Sequence, residues 1–170
     1  MRKLIIAVCM VCAIAALAAC SGGAGSSKLT DFGWASFEMP DGYVQVDGLV
    51  NDVTISTSKD TDPMNYKLDE STIVLSPKVR EAAWPDAESG LAGLVGKSPD
   101  RYGDMKTVEI GGREWHIVPF TFKDAQDSVM GYADVNDKRC VGFTAYYMGI
   151  DDPALQTVLG TLEINEAKLP

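Results

Sequence analysis

The chain alternates between short runs of two-residue apolar period and clusters of turn residues, the pattern of a strand-rich domain. Phe32 to Met39 reads as a strand, followed by a turn at Pro40-Asp41-Gly42. Tyr43-Val44-Gln45-Val46 opens a second strand, Val53 to Ser58 a third, and Ser71 to Leu75 a short one stopped by Ser76-Pro77. Polar Lys59 to Asn65, with Pro63, reads as a loop. Thr107 to Ile110 and Arg113 to Phe122 flank Gly111-Gly112, which predicts a tight hairpin, because the favoured turn needs positive φ at both central residues. Val129 to Val135 and Arg139 to Met148 predict a second hairpin across Asn136-Asp137-Lys138.

Two segments carry helical spacing. Ala82 to Gly96 has Pro85 in its first turn, Asp86 and Glu88 near its start, and Leu91, Leu94 and Val95 on one face. Asp152-Pro153 opens a second helix, with Asp152 as N-cap and Pro153 at the first helical position; Leu155, Val158 and Leu159 form its apolar side. Gly160 closes it, and Thr161 to Ile164 returns as a last strand. The expected fold class is α+β: an antiparallel sheet of consecutive hairpins with two helices packed on it.

The first residues follow a different pattern. Arg2 and Lys3 precede an apolar run from Leu4 to Leu17, shorter than the roughly 20 residues a spanning helix needs. The run ends in Leu17-Ala18-Ala19-Cys20, followed by Ser21 to Ser27, rich in glycine and serine. Small residues and a cysteine at the end of a secretory signal resemble the lipobox of bacterial lipoproteins. That resemblance implies lipidation at Cys20, cleavage before it, and a palmitate-type anchor in the cell membrane at its extracytoplasmic face. Two acyl chains hold a protein stably where one does not. The expected organisation is a signal peptide over 1–19, a lipidated cysteine and flexible tether over 20–27, and a single globular domain over 28–170.

Processing would leave Cys140 as the domain's one thiol, too few for an internal disulfide or a cysteine-rich zinc site. The net charge of −9 becomes −11 without Arg2 and Lys3, which disfavours nucleic acid. The lone His116 cannot build a multi-histidine metal site. It alternates onto the face of Glu114, Val118, Phe120 and Phe122, and is read as a hydrogen-bonded structural histidine. Asp60, Asp62, Asp69 and Glu70, and Asp124, Asp127, Asp134 and Asp137, suit turns. Gly96-Lys97-Ser98 lacks the upstream glycine spacing of a phosphate-binding loop. No catalytic residue, metal site or cofactor is assigned. Trp84, Tyr146 and Tyr147 are the candidate ligand or partner surface, with Tyr146 and Tyr147 expected on opposite faces of one strand.

The Met39-Pro40-Asp41-Gly42-Tyr43 entry, the mid-chain helix, the long hairpins and the closing Asp152 to Ile164 segment together resemble the PsbP-like α/β/α sandwich, over about Phe32 to Ile164. The resemblance brings no catalytic residues and implies binding or assembly at a membrane's outer face. The expected function is a non-enzymatic binding or assembly module of the cell envelope, with an envelope protein as partner. A carboxylate-based envelope hydrolase and a small-ligand or calcium carrier are the alternatives.

Overall fold

The computed structural model describes residues 29–46, 50–57, 71–79, 96, 100–122 and 126–170. Their strands are β1 (Leu29–Asp31), β2 (Ala35–Glu38), β3 (Val44–Val46), β4 (Val53–Ser56), β5 (Thr72–Val79), β6 (Lys106–Ile110), β7 (Arg113–Phe122), β8 (Gln126–Asn136), β9 (Arg139–Tyr146) and β10 (Glu163–Ile164). One α-helix, α1 (Pro153–Gly160), and a 3₁₀ turn at Glu166–Lys168 complete them.

Two antiparallel sheets form, one of seven strands in the order β3-β4-β5-β9-β8-β7-β6 and one of three in the order β1-β2-β10. This corrects the expected α+β arrangement of two helices on one sheet: the described residues are mostly β, with a single α-helix. Of the segment predicted as a helix over 82–96, only Gly96 lies within the described residues. No helix among the described residues is long and apolar enough to cross a membrane.

The second sheet arises because the predicted strand from Phe32 to Met39 breaks near its start. Gly33 takes φ +91°, which a side chain resists, and its N–H donates to Asp31 Oδ1 at 2.7 Å. Phe32 N–H donates to the Ala35 carbonyl at 2.8 Å, so the chain folds back into a hairpin of β1 on β2. The predicted last strand pairs with β2 at Ala35 and Ser36 instead of entering the large sheet.

Pro77 does not stop β5, which runs to Val79 in register with β9. Pairing with β4 ends at Val53–Leu75, so beyond it the missing proline N–H interrupts no second ladder among the described residues.

The core lies between the large sheet and a layer made of α1 and β2. Alternation along β7 sends Trp115 and Ile117 into it, where Phe143 meets Trp115 edge-on at a centroid distance of 5.3 Å. Phe37 of β2 and Leu155, Val158 and Leu159 of α1 close it from above. A helix of eight residues is too short to persist alone. Burying those three side chains, at roughly 1.5–3 kcal/mol each, is what holds it. Asp152 caps it, accepting from the N–H groups of Ala154 at 2.8 Å and Leu155 at 3.4 Å.

The Gly111-Gly112 hairpin forms as its residues predict, with φ of +61° and +70° and Ile110 opposite Arg113. Gly111 also lies against the end of α1: a Cβ there would stand 2.6 Å from the Gly160 carbonyl oxygen. Gly112 has open space around it.

Four outcomes are expected. In urea denaturation Gly112→Ala costs about 1–2 kcal/mol, from conformation alone. Gly111→Ala costs at least about 2 kcal/mol more, because the helix end must also shift. Asp152→Ala removes the cap and costs about 1 kcal/mol. Burial holds the Tyr43 hydroxyl above its usual pKa of 10.0, with Asp152 adding to the rise and a hydrogen bond with Ser71 opposing it. The fold thus favours the neutral phenol, so this stabilisation is intact below the unfolded pKa and fades as pH climbs through the folded one. Alkaline denaturation should show this limb in the parent chain and a weaker one in Tyr43→Phe.

Candidate functional site

β6 covers only the first half of β7, from Arg113 to Ile117. The remaining edge is taken by Arg101–Gly103. Thr121 N–H donates to the Arg101 carbonyl and Gly103 N–H to the Pro119 carbonyl, both at 2.8 Å, with Tyr102 bridging to Phe120 between them. Gly103 packs closely there: a Cβ would stand 2.9 Å from the Pro119 ring, which would have to shift. Arg101 Nε donates to the Thr121 carbonyl at 3.2 Å, and its guanidinium lies 5.7 Å from the Tyr102 ring centroid.

This edge segment borders a cleft of about 560 Å³ on the core side of the sheet. Ile117, Pro119, Thr121 and Val129 form its floor, at the margin where α1 no longer covers the strands. Lys106 and Val108 line it from β6, Asp127 from β8, and Gly149–Asp151 from the loop leading into α1. That loop is tied down: Asp152 N–H donates to the Gly149 carbonyl at 3.1 Å and Gln156 Nε2 to the Ile150 carbonyl at 2.8 Å. The volume falls in the range of small-molecule sites, and apolar floor with charged rim is their usual make-up.

An aromatic cluster backs the same strands on the opposite face. Phe120 meets Phe122 and Tyr146 at 6.5 and 6.1 Å, and Phe122 meets Tyr146 at 4.9 Å, all edge-on. Tyr147 also meets Phe122, at 5.8 Å. The expectation of Tyr146 and Tyr147 on opposite faces fails here for a local reason. β9 ends at Tyr146, and Tyr147 takes φ +61°, which turns its ring back onto Phe122. Its N–H donates to the buried Ser128 Oγ at 3.1 Å, which holds that unusual conformation in place. Both tyrosines are half-buried. They brace the sheet behind the cleft and do not line it.

His116 lies where alternation predicts, stacked on Tyr132 at 4.8 Å. Its Nδ1 is 3.2 Å from Thr107 Oγ1 and its Nε2 3.5 Å from Glu114 Oε1. Cys140 is fully buried. No three histidine, cysteine, aspartate or glutamate side chains converge into a metal-holding group among the described residues. Cys20 and Trp84 lie outside the described residues, as do Asp60, Asp62, Asp69, Glu70 and Asp124. Asp134 and Asp137 are exposed near the turn between β8 and β9, where Asn136 Oδ1 accepts from Lys138 N–H at 2.9 Å.

The cleft residues Arg101, Lys106, Pro119 and Thr121 stood out in no sequence motif. The legible trace was small: a Gly103 amid polar residues, and a Pro119 inside an otherwise regular strand.

No family model and no curated protein sequence matches this chain. Among solved structures it is similar to the solution structure of cyanobacterial PsbP (CyanoP) from Synechocystis sp. PCC 6803, at 14% identity, covering 85% of this chain and 96% of that one, with a TM-score of 0.44. It is also similar to a protein from Bacteroides thetaiotaomicron VPI-5482, at 12% identity, covering 78% of this chain, with a TM-score of 0.45. This chain spans 46% of that protein, less than half its length. Likeness at this level assigns no function.

Proposed function

We propose that this protein is a lipid-anchored lipoprotein on the extracytoplasmic face of a cell membrane, where it serves as a non-enzymatic binding module of the envelope and engages its partner through the cleft on β6, β7 and β8. The observation that carries the reading is the construction of that cleft. Its floor is strand, its edge is hydrogen-bonded to β7, and its far wall is tied to a capped helix. A site held this way needs little ordering on binding, which favours recognition. The anchor half of the reading rests on Leu17-Ala18-Ala19-Cys20 and on the Ser21 to Ser27 tether that leads toward Leu29 at the start of β1.

Capture from solubilised membranes tests it. The lipidated protein is expected to retain an envelope protein at near-stoichiometric level by mass spectrometry. Thr121→Arg, at an exposed position on the cleft floor, is expected to abolish capture while leaving the fold intact. Cys20→Ala is expected to move the protein to the soluble fraction. Equal capture by the parent chain and Thr121→Arg would remove the cleft from the account.

A further inference from the structure

The charges around the cleft are sorted by position. Lys106 stands opposite Ile117 on β6, and Asp127 opposite Thr121 on β8. They are two strands apart and four residues apart along β7, which by sheet geometry separates their backbones by about 16 Å. The Asp127 end gathers more acid. Asp100 precedes Arg101, which is bonded to Thr121. Asp151 lines the cleft from the loop that leads into α1. Arg101 offsets one of these carboxylates, but it is held against the strand edge by its bond to the Thr121 carbonyl. The cleft thus has a cation at one end, an excess of carboxylates at the other, and Ile117, Pro119 and Val129 between them.

We propose that this cleft takes a short peptide with free termini, its ammonium at the Asp127 end, its carboxylate at Lys106 and an apolar side chain on the floor between. The match is one of both charge and length. An extended chain advances about 3.3–3.6 Å per residue, so three or four residues, with the lysine and aspartate side chains reaching inward, fill the gap. A cationic ligand would leave Lys106 repelled, and an anionic one would face Asp100, Asp127 and Asp151. A zwitterion of this length satisfies both ends. The proposal rests on the reading of the cleft as the binding site and adds the chemistry of what enters it.

The test is titration calorimetry at neutral pH on the full chain in detergent, with Ala-Leu-Ala, its N-acetylated form and its C-terminal amide as probes. Ala-Leu-Ala is expected to bind, and each blocked form to bind about tenfold more weakly, the effect of losing one charged hydrogen-bonding group. Lys106→Glu should remove the preference for the free carboxylate, and Asp127→Asn should reduce the preference for the free amine. Both positions are exposed, so the core is untouched. Equal binding of all three peptides, or binding of none, overturns the proposal. If no peptide binds while Thr121→Arg still abolishes membrane capture, the ligand class falls and the binding module stands. If capture is also indifferent to Thr121→Arg, both fall.

Discussion

The arrangement of this domain depends on how closely α1 can approach the hairpin of β6 and β7. Gly111 brings backbone against backbone at the helix end, with no side chain between. That contact lets Leu155, Val158 and Leu159 reach the core around Trp115. The loop Gly149–Asp151, one wall of the cleft, is tied to the start of the same helix by Asp152 N–H on the Gly149 carbonyl and Gln156 Nε2 on the Ile150 carbonyl. A methyl group at Gly111 would displace the helix end.

The two faces of β7 show how a period of two divides labour along one strand. Trp115 and Ile117 enter the main core; His116 and Val118 turn to the other side, where Tyr132 and Phe120 pack. The same alternation places Pro119 and Thr121 on the core side after the core has ended. They are left as the floor of a depression because α1 does not extend over them. The cleft is a consequence of a helix only eight residues long laid on strands that continue beyond it. Most of its lining belongs to a ladder or to the loop tied to α1.

Much of this was legible where the chemistry is local. Gly111-Gly112 demanded its turn, Asp152-Pro153 its helix start, and alternation put Trp115 and His116 on their proper faces. What was not legible depended on partners distant in sequence. Pro77 looks like a stop until the shortness of β4 is known. The Phe32 to Met39 run looks continuous until Gly33 adopts positive φ and the hairpin finds β10. Tyr147 looks like the next residue of a strand, and only its bond to Ser128 shows why it turns. The cleft was least visible, because Arg101, Lys106 and Asp127 come to border one depression only through the strand order. The expected α+β class failed because the described residues are mostly strand and the short closing strand joined a second sheet instead of the first.

The account's central claim is that a folded binding domain is held at a membrane surface by Cys20 through a short tether. The most direct measurement is the mass of the N-terminal peptide of the mature protein recovered from membranes. The account predicts a peptide that begins at Cys20 and carries a thioether-linked diacylglyceryl group. A mature N-terminus at any other residue, or an unmodified Cys20, would contradict it.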